Sequence, residues 1–115
     1  VAVIDEAAYL EIKKLDEVLI KNLGNSAFNS AALSKHLGLS KTQAYRKISS
    51  LVGMPPNKLL SELRLIHAVK ALKEGSKTVS EIAYDSGFNS PTYFTRVFRT
   101  RFNILPTLIG KSKSK

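Results

Sequence analysis

The apolar positions of this chain recur at helical spacing in a series of segments divided by glycine, proline and capping residues. Residues 5–23 read as an amphipathic helix, with Ala8, Ile12, Leu15 and Leu19 on one stripe, Lys13, Lys14, Asp16 and Glu17 away from it, and Gly24 as its stop. The stripe is a core face, with contact to a further upstream domain as the alternative. Residues 30–38 form a short helix with Leu33 and Leu37 inward; Gly38 closes it, and Leu39 is a buried plug after the turn. Ser40-x-x-Gln43 is a capping box: the serine hydroxyl takes a free amide of the first turn and the glutamine side chain reaches back to the serine amide. The helix it opens runs to about Leu51, with Ala44, Ile48 and Leu51 inward and Gly53 as its stop. Lys41, Thr42, Gln43, Tyr45, Arg46 and Lys47 are left facing outward.

Pro55–Pro56 restarts the chain, and a long helix follows over about residues 57–73. Its apolar residues (Leu59, Leu60, Leu63, Leu65, Ile66, Ala68, Val69, Ala71 and Leu72) cover more than one stripe, as on a helix buried against two partners. At 1.5 Å per residue it spans about 25 Å, which suits a connector between two lobes. Gly75–Lys77 is its exit loop, and Thr78-x-x-Glu81 is a second capping box.

The helix opened there carries Ile82 and Ala83 as a small apolar face, and Gly87 stands where a helix end needs a positive φ. Ser90–Pro91 is a helix start: a hydroxyl for the free amides, and a proline where its missing N–H costs nothing. Phe94, Val97 and Phe98 then recur inward, leaving Thr92, Tyr93, Thr95, Arg96 and Arg99 on the other surfaces. Asn103 ends this helix, Pro106–Ile109 forms one more helical turn, and the tail from Lys111, without an apolar residue, is expected to be disordered.

The two helix pairs superpose. Leu33, Leu37 and Gly38 map onto Ile82, Ser86 and Gly87 at an offset of 49; Ser40, Thr42, Arg46 and Ile48 map onto Ser90, Thr92, Arg96 and Phe98 at an offset of 50. Each unit thus carries a capping serine, a threonine two residues on and an arginine six residues on. Two helices joined by a tight glycine turn, the second presenting hydroxyls and arginine, is the helix-turn-helix layout that enters a DNA major groove.

Ile82–Ala83, Gly87–Phe88, Tyr93–Phe94, Arg96, Phe98 and Pro106 together resemble the signature of the AraC/XylS family of bacterial transcription regulators. The resemblance covers nearly the whole chain after about Asn25. It implies a DNA-binding domain of two helix-turn-helix units joined by one long helix, and a structural role for Arg64 on that helix. The chain departs from the family pattern in Asn103 for a glycine, in Ile109–Gly110 for an aromatic and an arginine, and in Ala44 for a leucine. The last departure implies a more loosely packed first unit, with most specificity left to the second. The first helix, with Leu15–Asp16–Glu17 followed by Asn22–Leu23, resembles the leading segment of output domains in hybrid two-component sensors. On that resemblance a receiver and a sensor kinase lie upstream in the same chain.

The expected architecture is all-α, about seven helices in two helix-turn-helix subdomains joined by a connector. Its parts are an acidic helix over 1–24 packing on the first lobe, a first helix-turn-helix over 25–54, the connector over 55–75, a second helix-turn-helix over 76–110, and a tail over 111–115.

Charge sharpens the reading. Residues 1–24 hold five acids and three lysines, net −2, whereas residues 25–115 hold fifteen Lys and Arg against four acids, net +11. A basic body points to a polyanion partner. The expected partner is double-stranded DNA at a promoter or operator; the alternative is a helical protein-interaction module whose basic face meets an acidic partner. An upstream regulatory domain of the same chain is a second expected partner, and RNA polymerase is a further candidate. The chain has no cysteine, which removes disulfides, thiolate metal sites and a cysteine nucleophile and fits a reducing cytoplasm. No apolar run approaches the roughly 18 residues of a membrane span, so no membrane contact is expected. Val1 is not an initiator, no signal-peptide pattern follows, and the chain reads as a piece of a larger protein.

For base contacts the candidates are Thr42, Gln43, Tyr45 and Arg46 in the first unit and Thr92, Tyr93, Thr95 and Arg96 in the second. The arginine fork matches guanine O6 and N7, glutamine matches adenine, and threonine offers a methyl to thymine. Tyr45 and Tyr93 suit sugar, thymine or phosphate. For phosphate the candidates are Lys41, Lys47, Arg99 and Arg101, with Ser40 and Ser90 at helix N-termini. A connector shorter than the roughly 34 Å between successive grooves implies bent DNA or incomplete insertion of one unit. His36 and His67 lack companions at metal-ligand spacing and read as surface or packing residues. Ser34, Ser61 and Ser86 show no histidine and acid partners for a hydrolase triad, and no glycine-rich phosphate loop is present. The chain is therefore read as a non-enzyme, with no cofactor or metal.

Overall fold

A computed structural model describes residues 5–111, and all regular structure among them is helical. The elements are α1 (Glu6–Asn22), α2 (Ser30–His36), α3 (Lys41–Val52), α4 (Pro56–Glu74), α5 (Val79–Asp85), α6 (Pro91–Phe102) and α7 (Thr107–Lys111). Of the tail expected to be disordered, Lys111 closes α7 and the rest lies outside the described residues. The chain divides into two compact units, Val1–Asn22 with Phe28–Leu60, and Leu23–Ala27 with Ser61–Lys115.

In the first unit α1 buries Leu15 and Leu19, with Ala8 and Ile12 of the same stripe half-buried. Phe28, Leu33, Ala44, Ile48, Leu59 and Leu60 complete this core. Leu39 does not plug it. It is only partly covered, because the turn at Gly38 leaves it on the rim of two surface hollows.

The second unit is built around Leu65, Ala68 and Leu72 of α4, Ile82 and Ala83 of α5, Phe88, and Phe94 and Phe98 of α6. Ile82, Phe94 and Phe98 are fully buried. The rings form a run, Phe88–Phe94 at 5.0 Å, Phe94–Phe98 at 5.5 Å and Phe98–Phe102 at 4.8 Å between centroids, all tilted. Burying each such side chain contributes on the order of 2–3 kcal/mol. The broad apolar arc of α4 thus serves both cores: Leu59 and Leu60 in one, Leu65, Ala68 and Leu72 in the other. The arc is narrower than its composition suggests. Ile66 is 46% exposed, since it falls off the line of Leu65, Ala68 and Leu72.

Local chemistry sets the boundaries. Ser40 with Gln43, and Thr78 with Glu81, form complete capping boxes. Ser90 caps α6 ahead of Pro91. Asn103 ends α6 at φ 61°, its N–H bonded to the Arg99 carbonyl at 2.8 Å, so it takes the left-handed position that glycine holds in the resembled family.

The repeat extends to the backbone. In the first turn Gly38 N–H donates to Lys35 O and Leu39 N–H to Ser34 O; in the second Gly87 N–H donates to Tyr84 O and Phe88 N–H to Ala83 O, each bond 3.0 Å. These are equivalent positions at the offset of 49. Gly87 carries a further constraint. A Cβ there would stand 2.3 Å from Leu23 O and 2.6 Å from Arg64 Nε.

Candidate nucleic-acid interface

On α3 the inward side chains Ala44 and Ile48 fix which face is outward. Thr42 and Arg46, one turn apart, lie opposite them, and Lys41, Gln43, Tyr45 and Lys47 flank that face; all six are exposed. Ser40 Oγ accepts from Gln43 N–H at 3.1 Å, and Gln43 Oε1 accepts from Ser40 N–H at 2.9 Å. The glutamine carbonyl is therefore engaged by the cap, and its amide NH2 is the group left to face a ligand. Two-point pairing with adenine requires the box to open.

On α6 the inward pair is Phe94 and Phe98, and Thr92 and Arg96 occupy the positions opposite them. Thr92, Thr95, Arg96 and Arg99 line one shallow hollow with Pro91 and Leu105. Thr95 is half-buried there, whereas Thr92, Tyr93, Arg96 and Arg99 are exposed. The third residue of this helix is Tyr93, where α3 has Gln43. Ser90 Oγ accepts from Tyr93 N–H at 3.1 Å, but a phenol cannot return the bond, and the ring lies tilted 6.3 Å from that of Phe88. The Arg96 guanidinium lies 5.5 Å from the centre of the Tyr93 ring. Each capping hydroxyl accepts an amide and keeps its own proton to donate outward.

Two of the phosphate candidates are engaged within the protein. Lys47 pairs with Glu11 of α1. Arg101 makes a two-point pair with Glu62 of α4, Nε to Oε1 at 2.6 Å and the terminal nitrogen to Oε2 at 3.0 Å, and this bond raises its pKa. Its guanidinium also lies 5.0 Å from the Phe102 ring centre. Arg101 thus ties α6 to α4, and a phosphate there competes with Glu62 for its guanidinium. Among the described residues no carboxylate pairs with Lys41, Arg46, Arg96 or Arg99.

The structure adds residues that the sequence reading did not single out. Lys35, in the last turn of α2, lines a hollow with Lys41 and Leu39, and Leu105 joins the hollow on α6. A basic residue ending the first helix of the unit was the available signal for Lys35; nothing local marks Leu105. His36 packs edge-on against Phe28 at 5.3 Å and its Nδ1 meets Ala32 O at 2.9 Å. Ser86 Oγ lies 2.9 Å from His67 Nδ1. That hydroxyl is buried at the C-terminal cap of α5 and ties α5 to α4, so it offers no nucleophile to a substrate. No cluster of three or more His, Asp or Glu suited to a metal occurs among the described residues.

A family described as a helix-turn-helix domain matches residues 33–111, the stretch that holds both glycine turns and both outward arginines. The chain belongs to this family, the AraC-type one that the Ile82–Pro106 signature resembles. Arg64 now has its structural role: Nε donates to Leu23 O and a terminal nitrogen to Asn25 O, each at 3.0 Å, and burial lowers its pKa.

Among curated relatives, the chain is 34% identical over 96 residues to a protein of Formosa agariphila called histidine kinase P4, covering 84% of this chain and 7% of that protein. Among solved structures it is similar to the C-terminal domain of the two-component response regulator yesN from Fusobacterium nucleatum, with a TM-score of 0.82 and 23% identity over 87% of this chain and 97% of that one. It is likewise similar to the DNA-binding domain of AdpA, a global transcriptional factor solved in complex with a target DNA, with a TM-score of 0.80 and 23% identity over 87% and 89% of the two chains. At that identity these likenesses establish the AraC-type fold. No helix among the described residues is long and apolar enough to cross a membrane.

Proposed function

We propose that this chain is the sequence-specific, double-stranded-DNA-binding output domain of a bacterial transcription regulator, with α3 and α6 as recognition helices in successive major grooves. The observation that carries the reading is the duplicated outward set. Thr42 with Arg46, and Thr92 with Arg96, stand opposite the buried face of helices opened by the same serine cap and the same glycine turn. Among the described residues no acid pairs with Arg46 or Arg96, and both match guanine; Thr42, Thr92 and Thr95 match thymine. Gln43, Tyr45 and Tyr93 flank these as further base or sugar contacts. Lys41, Arg99, Ser40 and Ser90 hold phosphate, with Lys47 and Arg101 able to join them once they leave Glu11 and Glu62.

Family membership and the likeness to a DNA-complexed domain support the same conclusion. The similarity to a histidine kinase of which the chain spans 7% supports a hybrid two-component parent, whose upstream regulatory part is then this domain's partner in the cytoplasm. A connector of this length calls for a bent duplex or incomplete insertion of one unit.

Selection of preferred sites from random duplexes tests the proposal. Two short boxes about one helical turn apart are expected, bound with a steep salt dependence. Equal affinity for every duplex, or none for DNA beside firm binding to an acidic protein, overturns it.

A further inference from the structure

The exposed face of α1 carries more apolar surface than a solvated helix needs. Tyr9 is 56% exposed and Ile20 73% exposed, while Leu15 and Leu19, a quarter-turn or more round the helix, are buried. Tyr9, Lys13, Asp16 and Ile20 follow one another at steps of four, three and four residues. That spacing puts them on one stripe of the helix, about 16 Å long from Tyr9 to Ile20, and all four are exposed. Lys13 and Asp16 have no ion-pair partner among the described residues.

This stripe is a palindrome in character. The midpoints of Tyr9–Ile20 and of Lys13–Asp16 coincide, between Lys14 and Leu15. When a second α1 is laid against it antiparallel about that point, Tyr9 meets the second copy's Ile20 and Lys13 meets its Asp16. The two remaining layers repeat these pairings by symmetry. Antiparallel helices pack the first core position of one heptad against the second of the other, which is the pairing these spacings produce. A two-fold axis requires such self-complementarity. A parallel pairing instead opposes lysine to lysine and aspartate to aspartate.

We infer that the outer face of α1 is a self-association surface, whose occupant is a second copy of this chain bound antiparallel through Tyr9–Ile20 and Lys13–Asp16 contacts. One helix face of three turns is smaller than a standard interface of about 800 Å² per partner. The dimer is accordingly weak, with dissociation constants on the order of 100 μM for the isolated chain, and it tightens when two chains are held together.

Sedimentation equilibrium of the 115-residue chain tests this. A monomer–dimer equilibrium is expected at high micromolar concentration. Lys13→Asp and Asp16→Lys each replace two attractive layers by two repulsive ones and weaken it about tenfold. The chain with both changes recovers the original association, which excludes misfolding as the cause. Because the chain has no cysteine, Tyr9→Cys and Ile20→Cys variants mixed together and oxidised give the mixed disulfide ahead of either homodimer. A chain that stays monomeric up to millimolar concentration overturns the inference. So does a dimer indifferent to both charge reversals, or one joined Tyr9→Cys to Tyr9→Cys, and a face covered instead by an upstream domain appears as the monomer outcome. None of these readouts involves DNA, so the inference and the proposed function fail separately.

Discussion

The guanidinium of Arg96 rests 5.5 Å from the centre of the Tyr93 ring, one helical turn away on the exposed side of α6. An arginine on a ring face is pre-ordered, and less rotamer freedom is lost when it meets a guanine. Arg96→Ala is expected to cost about 1–3 kcal/mol at the preferred site and to relax one base position. Tyr93→Ala leaves the arginine but removes its support, at about 0.5–1 kcal/mol. Binding isotherms on the selected site and on single-base variants of it separate the two. Equal losses on every sequence in both variants contradict base reading by Arg96.

The pairing of Lys47 with Glu11 links the acidic helix α1 to the outward side of α3. Glu11 competes with a phosphate for that ammonium. Glu11→Gln should raise duplex affinity about threefold on specific and random sequences alike, with a salt slope steeper by about one counterion. Titrations at several salt concentrations measure both quantities. An unchanged slope shows that Lys47 does not reach the backbone.

Arg101 was legible from the sequence as a cation on a recognition helix, but its partner was not. The two-point bond to Glu62 lies 39 residues away in the chain, and no local rule reports it. Arg101→Ala and Glu62→Ala should each lower the thermal midpoint, with little further loss when combined, and neither should change base preference. Additive losses would mean that the two side chains act independently.

The repeat itself held a clue that a reading by residue type passed over. At the offset of 50, Arg101 stands where the first unit has Leu51, and Lys47 where the second has Val97, and both apolar equivalents are half-buried. Those positions flank the core, so a long cation there lies along the neighbouring helix and meets whatever acid that helix offers. The elements, caps and turns were readable because each is fixed by residues within one turn of one another. Ser40 with Gln43, Pro91 after Ser90, and Asn103 at the end of α6 all fall in that class. Contacts that depend on packing between elements were not readable: Ser86 with His67, Arg64 with two carbonyls, and the part-exposed Leu39.

Gln43 holds a structural and a candidate reading role in one side chain. Gln43→Glu keeps an oxygen for the Ser40 amide and should leave stability unchanged, since a carboxylate is favoured in the first turn. It removes the amide donor and adds a negative charge, so duplex affinity should fall. Gln43→Ala gives up the reciprocal bond and should cost about 1 kcal/mol of stability. Denaturant unfolding beside DNA titration distinguishes them, and a Gln43→Glu chain that binds as before removes Gln43 from the interface.

Gly38 and Gly87 end equivalent helices with equivalent backbone bonds, yet substitution should not cost the same. At Gly38, φ is 72° and a Cβ meets nothing within 4 Å, so Gly38→Ala carries only the left-handed strain of about 1–2 kcal/mol. At Gly87, φ is 93° and the Cβ falls 2.3 Å from Leu23 O, a backbone atom, and 2.6 Å from Arg64 Nε. Those two atoms are bonded to each other at 3.0 Å, so relieving the overlap breaks the contact that holds the segment after α1 in the second unit. Gly87→Ala should therefore cost upwards of about 3 kcal/mol, as for other losses of a special backbone site and a buried polar contact together. Arg64→Met, which removes the guanidinium and leaves Gly87, should cost about 2–3 kcal/mol through the bonds to Leu23 O and Asn25 O. Urea unfolding of the three variants provides the comparison. Equal penalties at Gly38 and Gly87 would show that the second turn tolerates a side chain, and that the fit among Leu23, Arg64 and Gly87 is not what requires glycine there.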